Sequence, residues 1–253
     1  MIKKQYGKVD LKIYDSRAEM GRAAAEEAAA CMRKLLEKEP EINCIFAAAP
    51  SQTEFLQELC KQPGIDWSRV NGYHMDEYVG LPLGHKKSFN HFLCQSIFDK
   101  VPFKSVNLMN GSRPVEEEIA RYDQLLKDAP THITFMGIGE NGHVAFNDPP
   151  VADFEDKARI KKVKLDPVCR EQQVHDRCFA TLEEVPEYAL TVTVPRLMNS
   201  QYIFCIVPSH TKHDAVVAAL TGPVSTACPA SILRQTENVR MYIDKECAGE
   251  LAQ

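Results

Sequence analysis

The sequence lacks the features of several large protein classes. No apolar run approaches the ~20 residues that a membrane-spanning helix needs. No long run of Lys or Arg is present, and 30 basic against 35 acidic residues give a net charge of −5. We therefore expect no nucleic-acid partner and no membrane partner that binds through a general electrostatic footprint. The basic residues 1–8 have no apolar segment behind them, so a secretory signal is not expected either.

The cysteines also show no organised pattern. There are nine, and no two have the C-x-x-C spacing of a zinc site or of a redox-active thiol pair. Cys44 and Cys205 lie inside apolar runs, where a thiol behaves as a small hydrophobe. These features predict a reducing, cytoplasmic compartment. The spacings at 74–76 and 85–91 indicate no metal site either, so we expect no bound metal.

No repeat and no Gly/Ser-rich or Pro-rich linker divides the chain, so residues 1–253 are predicted to form a single domain. Short apolar runs alternate with amphipathic segments. The predicted strands lie at 42–49, 70–75, 105–109, 133–137, 189–194, 202–207 and 239–243. The predicted helices start at the capping box of residues 16–19 and at Pro50, and cover 88–98, 115–126 and 213–220. This alternation predicts an α/β fold with a mostly parallel, doubly wound (Rossmann-like) sheet and helices on both faces.

Ligands of such sheets collect at the carboxyl ends of the strands, and two polar segments follow predicted strands there. The first is DEYVGLP at residues 76–82. If Asp76 and Glu77 are desolvated together, one pKa rises and a base is prepared. The alternative is a solvated acidic turn.

The second segment is GIGENGHVAFND at residues 137–148. Its glycines let the backbone approach a ligand, and His143 suits proton transfer near neutral pH. Asn141 and Asp148 flank this histidine. A dinucleotide site is not favoured, because Pro149 and Pro150 argue against the helix that such a site requires. A purely structural histidine remains the alternative.

Together the two segments resemble the glucosamine-6-phosphate deaminase (isomerase) family. His85, Ser88, Phe89 and the segments PEYALT (186–191) and STACPASIL (225–233) extend the resemblance over about residues 42–243. The related 6-phosphogluconolactonases share the overall pattern, but GHVAFND at 142–148 is closer to the deaminases.

The resemblance implies a cofactor-free acid/base enzyme, of the hydrolase class by convention. Its small-molecule partner would be a hexosamine 6-phosphate, which is isomerised and deaminated to a ketose 6-phosphate and ammonia. By the same resemblance, Asp76 is the base, His143 opens the sugar ring, and Asn141 and Asp148 orient the histidine. Asn141 replaces the Asp usual in glucosamine-6-phosphate deaminases and Asp148 the usual Glu, which leaves glucosamine and galactosamine 6-phosphate as alternatives.

The phosphate site departs further from the family pattern. The family's Gly-rich loop is replaced by AAAPSQT at 47–53, so Ser51, Gln52 and Thr53 are the predicted donors there. The resemblance implies Lys212 and Arg177 as the basic pair, with Arg170 as the alternative to Arg177. The remaining predicted substrate contacts are Glu77, Gly139 and Gly142.

Two other functions remain open from the sequence. One is a lactonase-type hydrolase in which His143 activates water. The other is a non-catalytic sugar-phosphate sensor, which the altered phosphate loop and Asn141 allow. The oligomeric state is also open, with a homo-oligomer among the alternatives.

Overall fold

Parallel strands form the centre of the molecule. The computed structural model describes residues 1–253. The strands are β1 (Ile2–Tyr6), β2 (Val9–Tyr14), β3 (Ile42–Phe46), β4 (Val70–His74), β5 (Asp76–Tyr78), β6 (Ser105–Asn107), β7 (Ile133–Met136), β8 (Ile160–Lys164), β9 (Tyr188–Val192), β10 (Tyr202–Val207) and β11 (Val239–Asp244). The main sheet has the order β1-β2-β11-β10-β7-β3-β4-β6, and every pair in it except β1–β2 is parallel.

Helices cover both faces of this sheet. They are α1 (Arg17–Leu36), α2 (Thr53–Cys60), α3 (Phe89–Leu93), α4 (Val115–Lys127), α5 (Pro167–His175), α6 (Val194–Met198), α7 (His213–Thr221) and α8 (Lys245–Ala248). The predicted fold class, an α/β fold with a mostly parallel sheet, is confirmed. No helix combines the length and the apolar character that crossing a membrane would require.

Alternate residues of the central strands build two core layers. Phe46, Phe135 and Phe204 of β3, β7 and β10 point into one layer, and they pack ring against ring. Their neighbours Ile45 and Met136 belong to the other layer. Side chains of a strand alternate between its two faces, so continuous apolar strands require helices on both sides.

Local signals explain where the first helix begins. The hydroxyl of Ser16 accepts a hydrogen bond from the backbone N–H of Glu19 at 3.3 Å, as the capping-box pattern predicts. The small residues Ala24 and Ala28 then lie fully buried, which lets α1 pack closely. The helix ends at Leu36, before Pro40.

Three features of the fold were not predicted. The hairpin of β1 and β2 adds an antiparallel edge, and residues 94–98 continue α3 as a π-helix. In addition, β5, β9 and β8 form a separate three-stranded antiparallel sheet, in which Asp76 pairs with Thr191. The predicted strand 70–75 thus ends at His74, and the chain leaves the main sheet just before Asp76.

Candidate active site

A cleft of about 510 Å³ opens at the carboxyl ends of the central parallel strands. The loops after β3, β4, β7 and β10 contribute its walls, at the position expected for an α/β sheet. Half of the predicted site residues line it: Ser51, Gln52, Asp76, Gly139, His143 and Lys212. Residues from four separate loops therefore face one another across a single cleft.

Asp76 is the first residue of β5 and lies where the chain turns out of the main sheet. Its side chain is buried and lines the cleft. Burial raises its pKa well above the usual value, and the negative charges of Glu77 and Asp148 raise it further. Once ionised, such a carboxylate is a stronger base than an ordinary aspartate, which suits the removal of a proton from carbon.

His143 is held through one ring nitrogen. Its Nδ1 lies 2.7 Å from Oδ1 of Asn141 and 3.1 Å from Oδ1 of Asp148. Because both partners are acceptors, we assign the proton of the neutral ring to Nδ1. The lone pair is then on Nε2, which is free of protein partners and available to a ligand in the cleft.

Asn141 and Asp148 form one hydrogen-bonded unit with the histidine. Nδ2 of Asn141 donates to Oδ1 of Asp148 at 3.1 Å. Burial is the largest influence on Asp148 and raises its pKa, but hydrogen bonds from His143, the backbone N–H of Asp166 and Asn141 outweigh it and lower the pKa overall. Asp148 is therefore an ionised carboxylate, and it favours the His143 ring orientation in which Nδ1 carries the proton and faces Asp148.

The glycines of the loop create room for the ring. A Cβ on Gly139 would lie 2.0 Å from the His143 ring, so only glycine fits without displacing it. Gly142 has φ +81° and donates its N–H to the carbonyl of Gly139 at 2.9 Å, which closes the turn. Gly142 does not line the cleft, so its predicted contact with substrate is not supported by the structure.

Glu77, a predicted substrate contact, does not line the cleft. Its side chain is completely buried. The carboxylate accepts hydrogen bonds from the backbone N–H groups of Tyr78, Phe89 and Asn90, and from the Asn90 amide. Burial raises its pKa to about 7, although these hydrogen bonds lower it. Glu77 anchors the start of α3 beside the cleft.

Lys212 and Ser51 provide donors at another part of the cleft. Lys212 belongs to the 3₁₀ turn that precedes α7, and its side chain is only 4% exposed. Gln52 donates through Nε2 to Oγ of Ser51 and to the carbonyl of Ile206, both at 3.1 Å. The Ser51 hydroxyl keeps its own proton for a ligand. Both N–H groups of the Gln52 amide are therefore used inside the protein, and its donation to phosphate stays a prediction.

Two other predicted phosphate contacts lie outside the cleft. Thr53 starts α2 and is not among the lining residues. Arg177 is exposed, has the left-handed backbone angle φ +60°, and lines an adjoining cleft together with Lys86 and Lys87. Arg177 and Lys212 therefore line different, adjoining clefts.

Arg170, the alternative to Arg177, has a structural role. Its Nη2 donates to the carbonyl oxygens of Leu182 and Val185, each at 2.8 Å. It does not line the cleft. The guanidinium thus ties α5 to the segment that follows it.

Sequence reasoning missed the contribution of α5. Gln172 and Gln173 of this helix line the cleft. Oε1 of Gln172 accepts the backbone N–H of Glu140 at 2.8 Å, and Oε1 of Glu140 lies 3.5 Å from Nζ of Lys212. The pair of adjacent glutamines was the only available signal, and it does not indicate which loop α5 packs against.

One group of side chains has the composition of a metal site. His143, Asp148 and Cys169 each offer one donor atom, and these atoms lie within 4.8 Å of one another. Imidazole, carboxylate and thiolate are all zinc ligands. His143 and Asp148 are already bonded to each other, and the predicted absence of a metal stays a prediction.

The fold resembles solved structures of two kinds. A monomeric glucosamine-6-phosphate deaminase superposes with a TM-score of 0.84 and 25% identity, covering 94% of this chain and 98% of that one. A 6-phosphogluconolactonase from Trypanosoma brucei superposes with a TM-score of 0.79 over 99% of this chain and 100% of that one. The second pair is only 13% identical, so it shows a shared fold alone.

Curated sequences give a closer match. The glucosamine-6-phosphate deaminase of Streptococcus equi subsp. zooepidemicus is 33% identical over 207 residues, which is 81% of this chain and 86% of that protein. The glucosamine-6-phosphate deaminase of Streptococcus pyogenes serotype M1 is 32% identical over 207 residues, again 81% of this chain and 86% of that protein. The family model for glucosamine-6-phosphate isomerases/6-phosphogluconolactonase matches residues 15–242. The chain therefore belongs to the glucosamine-6-phosphate isomerase/6-phosphogluconolactonase family.

Proposed function

We propose that the chain converts a hexosamine 6-phosphate and water into a ketose 6-phosphate and ammonia. The observation that carries this proposal is a buried aspartate of raised pKa in the same cleft as an oriented histidine. The curated relatives named glucosamine-6-phosphate deaminase support the same reaction. No cofactor takes part, because the sugar is rearranged by proton transfers and then hydrolysed.

His143 carries out the opening of the sugar ring. Nε2 takes the proton of the anomeric hydroxyl and delivers it to the ring oxygen, which gives the open-chain aldehyde. Asn141 and Asp148 keep Nδ1 protonated, so the ring always presents the same nitrogen to the substrate.

Asp76 then moves a proton between neighbouring carbons. Its carboxylate removes the proton from C2, which carries the amino group, and the resulting enolamine is reprotonated at C1. The product is a ketimine, which water hydrolyses to the ketose with release of ammonia. The raised pKa of Asp76 makes it basic enough for the first step and acidic enough for the second.

The phosphate binds at Lys212 and Ser51. Lys212 is the only Lys or Arg that lines the cleft, and the free proton of the Ser51 hydroxyl adds a second donor. Charge-assisted hydrogen bonds of this kind fix the end of the sugar that does not react.

Ammonia release tests the proposal. Purified protein is incubated separately with glucosamine 6-phosphate and galactosamine 6-phosphate, and ammonia and ketose 6-phosphate are measured together. Stoichiometric formation of both products from either sugar is expected, and the ratio of the two kcat/KM values identifies the substrate. Acid release from 6-phosphogluconolactone without ammonia from either amino sugar would indicate a lactonase. Calorimetric binding without turnover would indicate a sensor.

The Lys212→Ala variant is expected to raise KM much more than it lowers kcat. A charged hydrogen bond to a phosphate far from the reacting carbons is worth about 1.5–3 kcal/mol, or roughly 10- to 150-fold in KM. Lys100→Ala, which removes an exposed lysine that does not line the cleft, is the control. Wild-type kinetics for Lys212→Ala would mean that the phosphate binds elsewhere, and Arg177→Ala would then test the adjoining cleft.

The Asn141→Asp variant is expected to shift the pH–rate profile to higher pH. The new carboxylate would lie beside Nδ1 of His143 and would also lose the hydrogen bond to Asp148. Two adjacent negative charges favour the imidazolium, so the limb of the pH–rate profile that depends on His143 moves to higher pH. The profile is measured with both amino-sugar phosphates. An unmoved profile with an altered ratio of specificity constants would instead make Asn141 a residue that selects the sugar.

A further inference from the structure

The carboxylate of Glu140 lies between Lys212 and His175, beside the cleft. Its Oε1 is 3.5 Å from Nζ of Lys212, and its Oε2 is 3.2 Å from Nδ1 of His175. The Glu140 side chain is 15% exposed, Lys212 is 4% exposed and His175 is 59% exposed. Glu140 therefore links the innermost cation of the site to an exposed group at the end of α5.

The backbone of Glu140 fixes this arrangement. Its N–H donates to Oε1 of Gln172 on α5 at 2.8 Å. The neighbouring Gly139 is locked by its hydrogen bonds to the carbonyl of His143 and from the N–H of Gly142. The side chain can turn away from Lys212 while its Cα stays in place, because Lys212 and His175 are the only groups that contact the carboxylate by hydrogen bond or ion pair.

The charge balance of the cleft makes Glu140 consequential for an anionic ligand. Lys212 is the only Lys or Arg that lines the cleft, and Glu140 neutralises it. A phosphate that reaches Nζ of Lys212 approaches the Glu140 carboxylate to within a few ångströms, where like charges repel.

We propose that Glu140 is a specificity-determining residue that occupies Lys212 as an internal counter-anion and yields it to the phosphate monoester of the substrate. On binding, the Glu140 carboxylate gives up Lys212 and keeps His175 as its partner. Glu140 thereby selects for anionic ligands, because a neutral sugar has no charge that could replace the Glu140 carboxylate as the partner of Lys212. This inference rests on the proposed function only for the statement that the ligand is a phosphorylated sugar.

The test is phosphate affinity in the Glu140→Gln variant, which keeps the shape of the side chain and removes its charge. Inorganic phosphate is titrated calorimetrically, and KM for the hexosamine 6-phosphate is measured alongside. Neighbouring charges within about 4–6 Å change an equilibrium by about tenfold or more, so Kd for phosphate should fall about tenfold. The fall in KM should exceed any change in kcat. Glu171→Gln, which removes an exposed carboxylate from α5, controls for net charge.

Further variants separate charge from structure. Glu140→Ala should also tighten phosphate binding, because it too removes the charge. His175→Ala should weaken phosphate binding in the wild-type background, where Glu140 then has only Lys212 as partner, and should have no effect in Glu140→Gln. An unchanged or raised Kd in both Glu140 variants, absence of phosphate binding in all proteins, or an equal His175→Ala effect in both backgrounds would overturn the proposal.

Failure of the proposed function gives a different result. Phosphate titration does not depend on turnover. If the protein releases no ammonia but Glu140→Gln still binds phosphate more tightly than wild type, the inference about Glu140 stands and the proposed reaction is wrong. If the protein releases ammonia but its phosphate affinity does not change in the Glu140 variants, the proposed reaction stands and the inference about Glu140 is wrong.

Discussion

The Asp76→Asn variant is expected to lower kcat for deamination by about 10²–10⁴-fold, the usual contribution of a general acid–base group. Asparagine keeps the shape of the side chain but cannot accept a proton from carbon. Substrate affinity should remain close to wild type, because Asp76 does not bind the phosphate. Single-turnover rates and calorimetric binding of the hexosamine 6-phosphate separate the two effects.

The stability of the Asp76→Asn variant provides the internal control. The pKa of Asp76 is raised in the folded protein, so the folded state loses stability as pH rises from the usual aspartate range through that raised pKa. Removing the carboxyl group removes this loss, and the variant should melt no lower than wild type at pH 7. Asp99→Asn, at an exposed position, should leave both activity and melting unchanged. Near wild-type turnover by Asp76→Asn would remove Asp76 from the role of base.

The Gly139→Ala variant is expected to lose nearly as much activity through a steric effect alone. The new Cβ would lie 2.0 Å from Cε1 and 2.2 Å from Nε2 of His143. Gly139 does not have a positive φ, so alanine is not excluded by the backbone itself. The His143 ring must therefore move, and kcat should fall by the contribution of an acid–base group, about 10²–10⁴-fold. Steady-state kcat measures the loss.

Gly137→Ala is the matched control for this steric effect. It lines the same cleft, but its Cβ would lie 3.1 Å from the nearest atom, Nε2 of Gln52, which is a side-chain end. We expect a loss of a few fold at most. If Gly139→Ala retained activity comparable to Gly137→Ala, the observed position of His143 would not be required for turnover.

The strands that carry the site could be predicted because their sequence pattern is local. The runs that form β3, β7 and β10 are apolar on both faces, and only burial between two helix layers satisfies them. The capping box and Pro40 similarly predict α1, because caps and breakers act over a few residues. The edge hairpin and the sheet of β5, β9 and β8 escaped prediction, since these pairings depend on partners chosen in the folded chain.

The site residues divide along the same line. Asp76, His143 and Lys212 could be identified from motifs, and they do face one cleft. Glu77 shows the limit of this reasoning. It adjoins Asp76 in sequence, but alternate residues of a strand point in opposite directions, and Glu77 lies buried against the start of α3.

The sequence by itself determined the α/β class, and it predicted that Asp76 and His143 follow parallel strands and lie at one edge of the sheet. The class follows from residue type and spacing within short segments, and the roles of the two residues were implied by the family resemblance. Only the tertiary structure decided that Glu140 neutralises Lys212, that Gln172 holds Glu140 in place, and that Arg177 lies in a different cleft. The physical reason is that Coulombic and hydrogen-bonding energies depend on distances of a few ångströms between residues far apart in the chain, and folding alone sets those distances.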